Sequence, residues 1–226
     1  MPDTLTEIVA RPNAWLLLVL PVVTYFLGCL NGAIMTSRLI YLDDVRDHGS
    51  HNAGLTNFYR TYGAKHAVYV ILIDMGKAAL SVLIGTLVFT LLEIPRLSLY
   101  GAYWGALFCI IGHTFPVTEH FRGGKGILCS AAVVLCLDWR IALIGWGTFA
   151  IFFSLTRYVS LASILGMISF PVSTYCVYNG DKVLTALACI ITLLAIWAHR
   201  SNILRLVKGK ENRFHFHSKK REEMHQ

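Results

Sequence analysis

The sequence predicts an all-α integral membrane protein: a bundle of about seven transmembrane helices, with the N-terminus outside and the C-terminus cytoplasmic. Three observations carry this. First, 55% of the 226 residues are hydrophobic and only 15% are charged, against roughly 25% charged in an average soluble protein. That apolar excess exceeds what one small core can hide, so the chain needs an apolar solvent. Second, the hydrophobic residues fall into long runs. Third, Lys and Arg are distributed unevenly between alternate connections.

The apolar runs lie at 14–36, 66–92, 98–113, 124–137, 141–156, 162–178 and 183–199. A spanning helix needs about 20 residues. The first two runs meet that length; the third to fifth are short, and six spans result if 124–156 folds as one broken segment. Residues 1–13 carry Asp3, Glu7 and Arg11 with no basic n-region, so the first run is expected as a retained helix rather than a signal peptide. Connections one, three and five, together with the end of the chain, hold 15 Lys and Arg when Lys125 is included. The head and the even connections hold four: Arg11, Arg96, Arg140 and Lys182. Basic residues favour the cytoplasmic side, which sets the expected orientation. Eight of the basic residues follow the last run, from Arg200 to Arg221. Anionic lipid explains a basic segment beside a span, so the net charge of +7 does not indicate nucleic-acid binding. One polytopic domain at 1–214 is expected, followed by a charged cytoplasmic tail at 215–226.

Within the spans, Gly101 and Gly105 form a small-xxx-small pair that lets helix backbones approach. Asp74 and Lys77 share one helix face, where a charge without a partner is expensive. They read either as a structural pair turned into the bundle or as part of a cavity lining. The six cysteines all lie in apolar runs at no metal-ligand or CxxC spacing and read as reduced packing residues.

The polar residues that suggest chemistry fall in the cytoplasmic set. The first long loop packs Gly49, Ser50, Asn52, Gly54, Thr56 and Asn57 between Arg46 and Arg60. Glycines free the backbone, hydroxyls and amides add donors, and arginine matches phosphate bidentately. That inventory suits a phosphorylated small molecule, although a solvated turn-rich loop would also use it. The second loop ends in Gly123-Gly124-Lys125-Gly126 at a helix start, where N–H groups, helix dipole and ammonium would attract an anion. It is no Walker A motif. Ser160 and Ser163 stand at the start of the sixth run, and His199 and Asn202 lie three apart after the last. No HExxH, acidic cluster or GxSxG is present, so neither a metal nor a cofactor is expected and a serine hydrolase lacks support. An acyltransferase signature of His, four residues, Asp fails at every histidine.

Several of these motifs in order resemble one family. Gly49-Ser50-His51-Asn52, Gly54-Leu55-Thr56-Asn57 with Arg60, Gly112-His113 with Phe115-Pro116, Phe121 with Gly123 to Gly126, Arg157 to Ser163, and His199-Arg200 with Asn202 look like the acyl-phosphate:glycerol-3-phosphate acyltransferases, the PlsY family. The likeness runs from about Gly28 to Phe214. It implies seven spans, a cytoplasmic active site in a bacterial inner membrane, and acyl transfer from acyl phosphate to the 1-hydroxyl of glycerol 3-phosphate. The products would be lysophosphatidic acid and inorganic phosphate, with no metal or acyl-CoA. The enzyme that makes acyl phosphate becomes a candidate partner. Carried over by position, Ser50, Arg60, His199 and Asn202 would hold the glycerol 3-phosphate, with Lys125 reaching either phosphate. Gly123, Gly124 and Gly126 would cradle the acyl phosphate, Thr56 and Ser163 would add donors, and Asn52 and Asn57 would shape the first loop. Lys125, Ser50 and Arg60 are the expected catalytic set. The likeness departs at His51, where the family has glycine, at Leu55 for alanine, at Cys129 for threonine, and at Ala78 after Lys77. Two other classes remain: an organic-anion or phosphate transporter, and a non-catalytic lipid-binding homologue.

Overall fold

A computed structural model describes residues 11–94 and 97–214. The expected tail at 215–226, the head residues Asp3 and Glu7, and Arg96 lie outside the described residues. Among the described residues the chain is helical with no strand. The elements are α1 (Leu16–Cys29), α2 (Gly32–Tyr41), α3 (Leu55–Tyr62), α4 (Ala67–Leu91), α5 (Ser98–Thr114), α6 (Ile127–Leu137), α7 (Trp139–Thr156), α8 (Val159–Val177), α9 (Lys182–Ala198) and α10 (Arg200–Val207).

The first apolar run is one span, Leu16–Tyr41, broken at Leu30 and Asn31. A break leaves peptide groups without intrahelical partners, which lipid cannot satisfy. Here an ion pair on α4 supplies them. The Lys77 ammonium donates to the Gly28 carbonyl at 3.0 Å and to the Leu30 carbonyl, while the Gly32 N–H donates to Asp74 at 3.0 Å. Lys77 and Asp74 lie 2.9 Å apart, 5% and 1% exposed. Asn31 completes the repair: its side chain caps α2 through the Ile34 N–H at 3.0 Å and donates to the Ala53 carbonyl at 3.2 Å. The Asp74–Lys77 pair thus sustains the fold.

Helices α4 and α5 pack backbone to backbone. A Cβ on Gly101 would strike the Gly85 carbonyl, and one on Gly105 the Ser81 carbonyl. The sequence pair therefore does the work expected of small residues between membrane helices. Around this centre, Tyr103, Ile110, Val133, Ile141, Phe170 and Ile191 form the buried core shared by α5 to α9. The outward faces remain apolar: Leu143, Ile151 and Leu155 on α7 and Leu193 on α9 are mostly exposed. Apolar surface of that extent fits contact with lipid.

Every apolar run became helix, but not every helix is span-length. Leu16–Tyr41, Ala67–Leu91, Trp139–Thr156 and Val159–Val177 are long and apolar enough to cross a membrane; α9 joins them when taken with α10 across a 60° bend. The 11 residues of α6 extend about 16 Å, half of a hydrocarbon core of roughly 30 Å. All six cysteines are free, as expected, although Cys136 and Cys176 are exposed on the outer surface.

Candidate active site

The first loop is tied down from both ends. Asp44 caps a short 3-10 turn at Val45–Asp47 by accepting from the Arg46 N–H at 2.9 Å. Arg46 then bonds Asp44 at 2.7 Å and Glu119 at 2.9 Å, and donates to the Arg122 carbonyl at 3.0 Å. Arg38 reaches Glu119 at 2.8 Å. These ion pairs stitch the first loop to the second, so Arg46 is spent on scaffold. Arg60, on the last turn of α3, faces the cavity instead. Burial pushes the Arg60 guanidinium down from its ordinary value, with Glu211 opposing and Arg205 adding to the shift.

Asn57 is 2% exposed and fully engaged. Its NH₂ donates to the Val45 and His48 carbonyls at 2.8 and 3.0 Å, and its oxygen accepts from the Ser50 N–H at 2.9 Å. Its polar atoms therefore shape the loop and present Ser50. His51 adopts φ +57°, a left-handed conformation that favours glycine, and its Nδ1 donates to the Arg46 carbonyl at 2.9 Å.

The glycine loop differs from expectation. The Gly123 and Gly124 N–H groups do not turn toward a ligand. They donate to the Thr114 and His113 carbonyls at 3.3 and 3.0 Å, because the last turn of α5 leaves carbonyls that need donors. A Cβ on Gly124 would run into the His113 ring, so the two glycines let the loop lie against α5. Gly126, at φ +75°, turns the chain into α6 and lines the cavity. The open N–H groups of the first turn of α6, rather than those of Gly123 and Gly124, are the backbone donors at this corner.

Lys125 donates to the side-chain oxygen of Asn202 on α10. Burial depresses its pKa to about 8; Glu211 opposes, while Arg205 and Arg60 push the same way. His199, at the α9–α10 junction, is 3% exposed. Its Nδ1 lies 2.7 Å from the Ala195 carbonyl. A carbonyl can only accept, so the proton sits on Nδ1 and Nε2 offers a lone pair. Burial first, and the Lys125 charge second, lower the His199 pKa to about 4.

One cavity of 760 Å³ gathers these groups. Its lining includes Ser50, Asn52, Thr56, Asn57, Arg60, Lys125, Gly126, Ser163, His199 and Asn202 of the expected set; Gly123 and Gly124 lie outside it. The starts of α3, α6 and α8 all converge there. Below this polar head the wall turns apolar, through Leu128, Val134, Trp146, Phe149, Met167 and Phe170. Asp74 and His113 edge the cavity at depth. With Cys129 they bring three ligand-type atoms within 4.8 Å, but the Lys77 ammonium, 2.8 Å from His113 Nδ1 and 2.9 Å from Asp74, already supplies that cluster's cation.

Sequence reasoning missed Glu211, Arg205 and Asn212, which also line the cavity. Glu211 accepts from Ser160 at 2.8 Å, from the Asn202 NH₂ at 2.7 Å and from Arg205 Nε at 2.7 Å. Burial raises its carboxyl pKa, yet those three donors hold it below the ordinary value. The available signal was Gly209 closing a helix two residues earlier.

Residues 18–209 match the family described as glycerol-3-phosphate acyltransferase. A glycerol-3-phosphate acyltransferase of Finegoldia magna is 37% identical over 201 residues, 89% of this chain and 98% of that protein. One of Coxiella burnetii is 38% identical over 192 residues, 85% of this chain and 95% of that protein. The fold superimposes on the crystal structure of PlsY, an integral membrane glycerol 3-phosphate acyltransferase, in its glycerol 3-phosphate form. The TM-score is 0.77 and the identity 30%, over 88% of this chain and 95% of that one. The lysophosphatidic acid form of PlsY gives a TM-score of 0.74. This all-helical membrane protein, with its cation-lined cavity above an apolar slot, belongs to the glycerol-3-phosphate acyltransferase family.

Proposed function

We propose that the protein transfers a fatty acyl group from acyl phosphate to the 1-hydroxyl of sn-glycerol 3-phosphate, releasing lysophosphatidic acid and inorganic phosphate. The observation that carries this is a single cavity with two kinds of wall: a cationic, hydrogen-bonding head and an apolar slot beside it. Both substrates are anionic phosphates, and one also carries a long hydrocarbon.

Arg60, Lys125 and the first-turn N–H groups of α6 and α8 would take the two phosphates, by charge-assisted bonds and helix dipoles. Ser50, Thr56 and Ser163 add hydroxyl donors around them, and Asn202 keeps Lys125 aimed inward. His199 is read differently from its part in the resemblance. Its Nε2 is an acceptor, so it suits a glycerol hydroxyl better than a phosphate oxygen. The acyl chain would lie along Leu128, Val134, Trp146, Phe149 and Met167.

In the reaction, the glycerol oxygen attacks the acyl carbon, a C–O bond to glycerol forms, and the C–O bond to phosphate breaks. The hydroxyl proton ends on the departing phosphate, which gains negative charge as its bond to the acyl carbon breaks and so becomes a suitable acceptor. Catalysis then consists of positioning and electrostatic stabilisation of the oxyanion and leaving group.

Seven passes and an outside N-terminus remain part of this reading, on the charge bias. The four basic segments at 49–60, 125–128, 157–163 and 199–212 meet around one cavity, which suits a single cytoplasmic face in a bacterial inner membrane. An enzyme that forms acyl phosphate is the expected upstream partner. A transporter would concentrate binding groups near the midplane. Here the deeper polar groups, Asp74, Lys77 and His113, are bonded to one another.

Purified protein supplied with palmitoyl phosphate or palmitoyl-CoA, and glycerol 3-phosphate, tests the reading. Lysophosphatidic acid from palmitoyl phosphate alone is expected. Product from palmitoyl-CoA alone, or from neither donor with folded protein, contradicts it.

A further inference from the structure

The segment after α10 folds back over the cavity. Gly209, at φ +63°, ends α10: its N–H donates to the Leu206 carbonyl and the Lys210 N–H to the Arg205 carbonyl. This is the pairing of a Schellman cap, which reverses the chain. The far end is anchored too. The Phe214 N–H donates to the Arg157 carbonyl at 2.8 Å, and its ring stacks on Tyr59 with centroids 5.5 Å apart. Between these anchors the Glu211 side chain enters the site, 8% exposed.

We infer that Glu211 is a positioning residue for acyl transfer: it fixes the Asn202 amide so that the amide oxygen, and not its NH₂, faces the Lys125 ammonium. The inference rests on the acyltransfer reading of the cavity. A carboxylate only accepts and an ammonium only donates. With Glu211 on one side and Lys125 on the other, one orientation of the amide satisfies both. Without the carboxylate, the NH₂ can turn toward Lys125, setting donor against donor.

Electrostatics add a second reason. The groups facing Lys125 are Arg60 on α3, His199 at the α9–α10 junction, Arg205 and Asn202 on α10, and Glu211 on the returning segment. Among the residues lining the cavity, the other carboxylate is Asp74, which is bonded to Lys77. Among the described residues, Glu211 is thus the one anion in the polar head that keeps Lys125 charged beside two arginines.

The test compares Glu211→Gln and Glu211→Asp with wild type by two readouts. One is the pH dependence of amine-reagent labelling at Lys125, followed by mass spectrometry, which needs no turnover. The other is kcat/KM for lysophosphatidic acid formation across pH. For Glu211→Gln, the labelling midpoint and the alkaline limb of the rate profile should both fall by roughly half a pH unit or more, since a favourable charge is removed. Its kcat/KM should drop about tenfold, as for loss of a bond to a charged group. Glu211→Asp should keep the wild-type midpoint and recover part of the rate. If Glu211→Gln does not fold, Phe214→Ala, which frees the anchor, should shift the midpoint the same way. A midpoint that stays with wild type in the folded variant overturns the inference, as does equal loss of rate in both variants with unmoved titration. A wild type that makes no product, with a titration that still follows Glu211, sinks the acyltransfer reading and leaves the contact standing.

Discussion

The Lys77 ammonium sits against the carbonyl of Gly28, 3.0 Å away, and through that contact a helix can break inside the membrane without leaving bare peptide groups. The break matters because Asn31, within it, holds the Ala53 carbonyl at 3.2 Å, and Ala53 lies in the loop that carries Ser50 and Asn52 and leads into α3, where Thr56 stands. A buried ion pair in the span thus fixes the height of the cavity-lining loop above it. Lys77→Met should destabilise the fold by about 3–5 kcal/mol, the cost of leaving one buried charge without its partner. Thermal unfolding in detergent checks this, and Lys77→Met combined with Asp74→Asn should lose less than the sum of the single changes.

Replacing Gly101 by leucine should separate α4 from α5, because the added side chain meets the Gly85 carbonyl and the Phe89 ring. The expected cost is about 1–3 kcal/mol or more, as for overpacking. Gly147, which has nothing within 4 Å of an added Cβ, should accept leucine with little change in the same unfolding measurement.

Arg60→Lys should raise KM for glycerol 3-phosphate far more than it lowers kcat, because lysine keeps the charge but loses the bidentate match to phosphate. Steady-state kinetics against glycerol 3-phosphate measures the split. Arg46→Lys should act instead through loop stability, since Arg46 is bonded to Asp44 and Glu119.

The pH dependence has two limbs with opposite consequences at the alkaline end. In the proposed reaction Lys125 holds phosphate only when protonated, so the rate should fall as pH rises through about 8, with bound phosphate moving that limb upward. Its folded pKa lies below the ordinary 10.5, so the unfolded chain binds the proton more tightly across that window. The contribution of this group to stability should therefore rise with pH there, while activity declines. On the acid side, burial and then the Lys125 charge lower the His199 pKa to about 4 from an ordinary 6.5. Its contribution to stability is present above 6.5 and is lost as pH falls toward 4. Rate profiles and denaturation midpoints measured across the same pH range separate the two.

Composition and the run lengths made the membrane bundle legible, and the Gly101–Gly105 spacing gave the α4–α5 contact in kind. Ten of the twelve expected site residues do line the cavity, because turn residues and hydroxyls clustered in the same alternate connections. What could not be read depends on pairing at a distance. Arg46 and Arg60 flank one loop symmetrically, and it takes Asp44 together with Glu119, more than seventy positions away, to tie up the first. The Gly123 and Gly124 N–H groups looked open until the end of α5 claimed them. Glu211 was hidden in a charged stretch that lipid headgroups already explained. The span count meets a related difficulty: apolar length marks a helix but not where protein, rather than lipid, covers its ends, as at α6.

The most direct measurement sets wild type beside Lys125→Ala, purified and shown folded, with palmitoyl phosphate and radiolabelled glycerol 3-phosphate. Lysophosphatidic acid from wild type is predicted, with kcat/KM in the variant lower by an amount on the order of 2–5 kcal/mol for removal of a buried charged partner. Equal product from both proteins would contradict the account, because the cation at the head of the cavity would then have no part in the reaction.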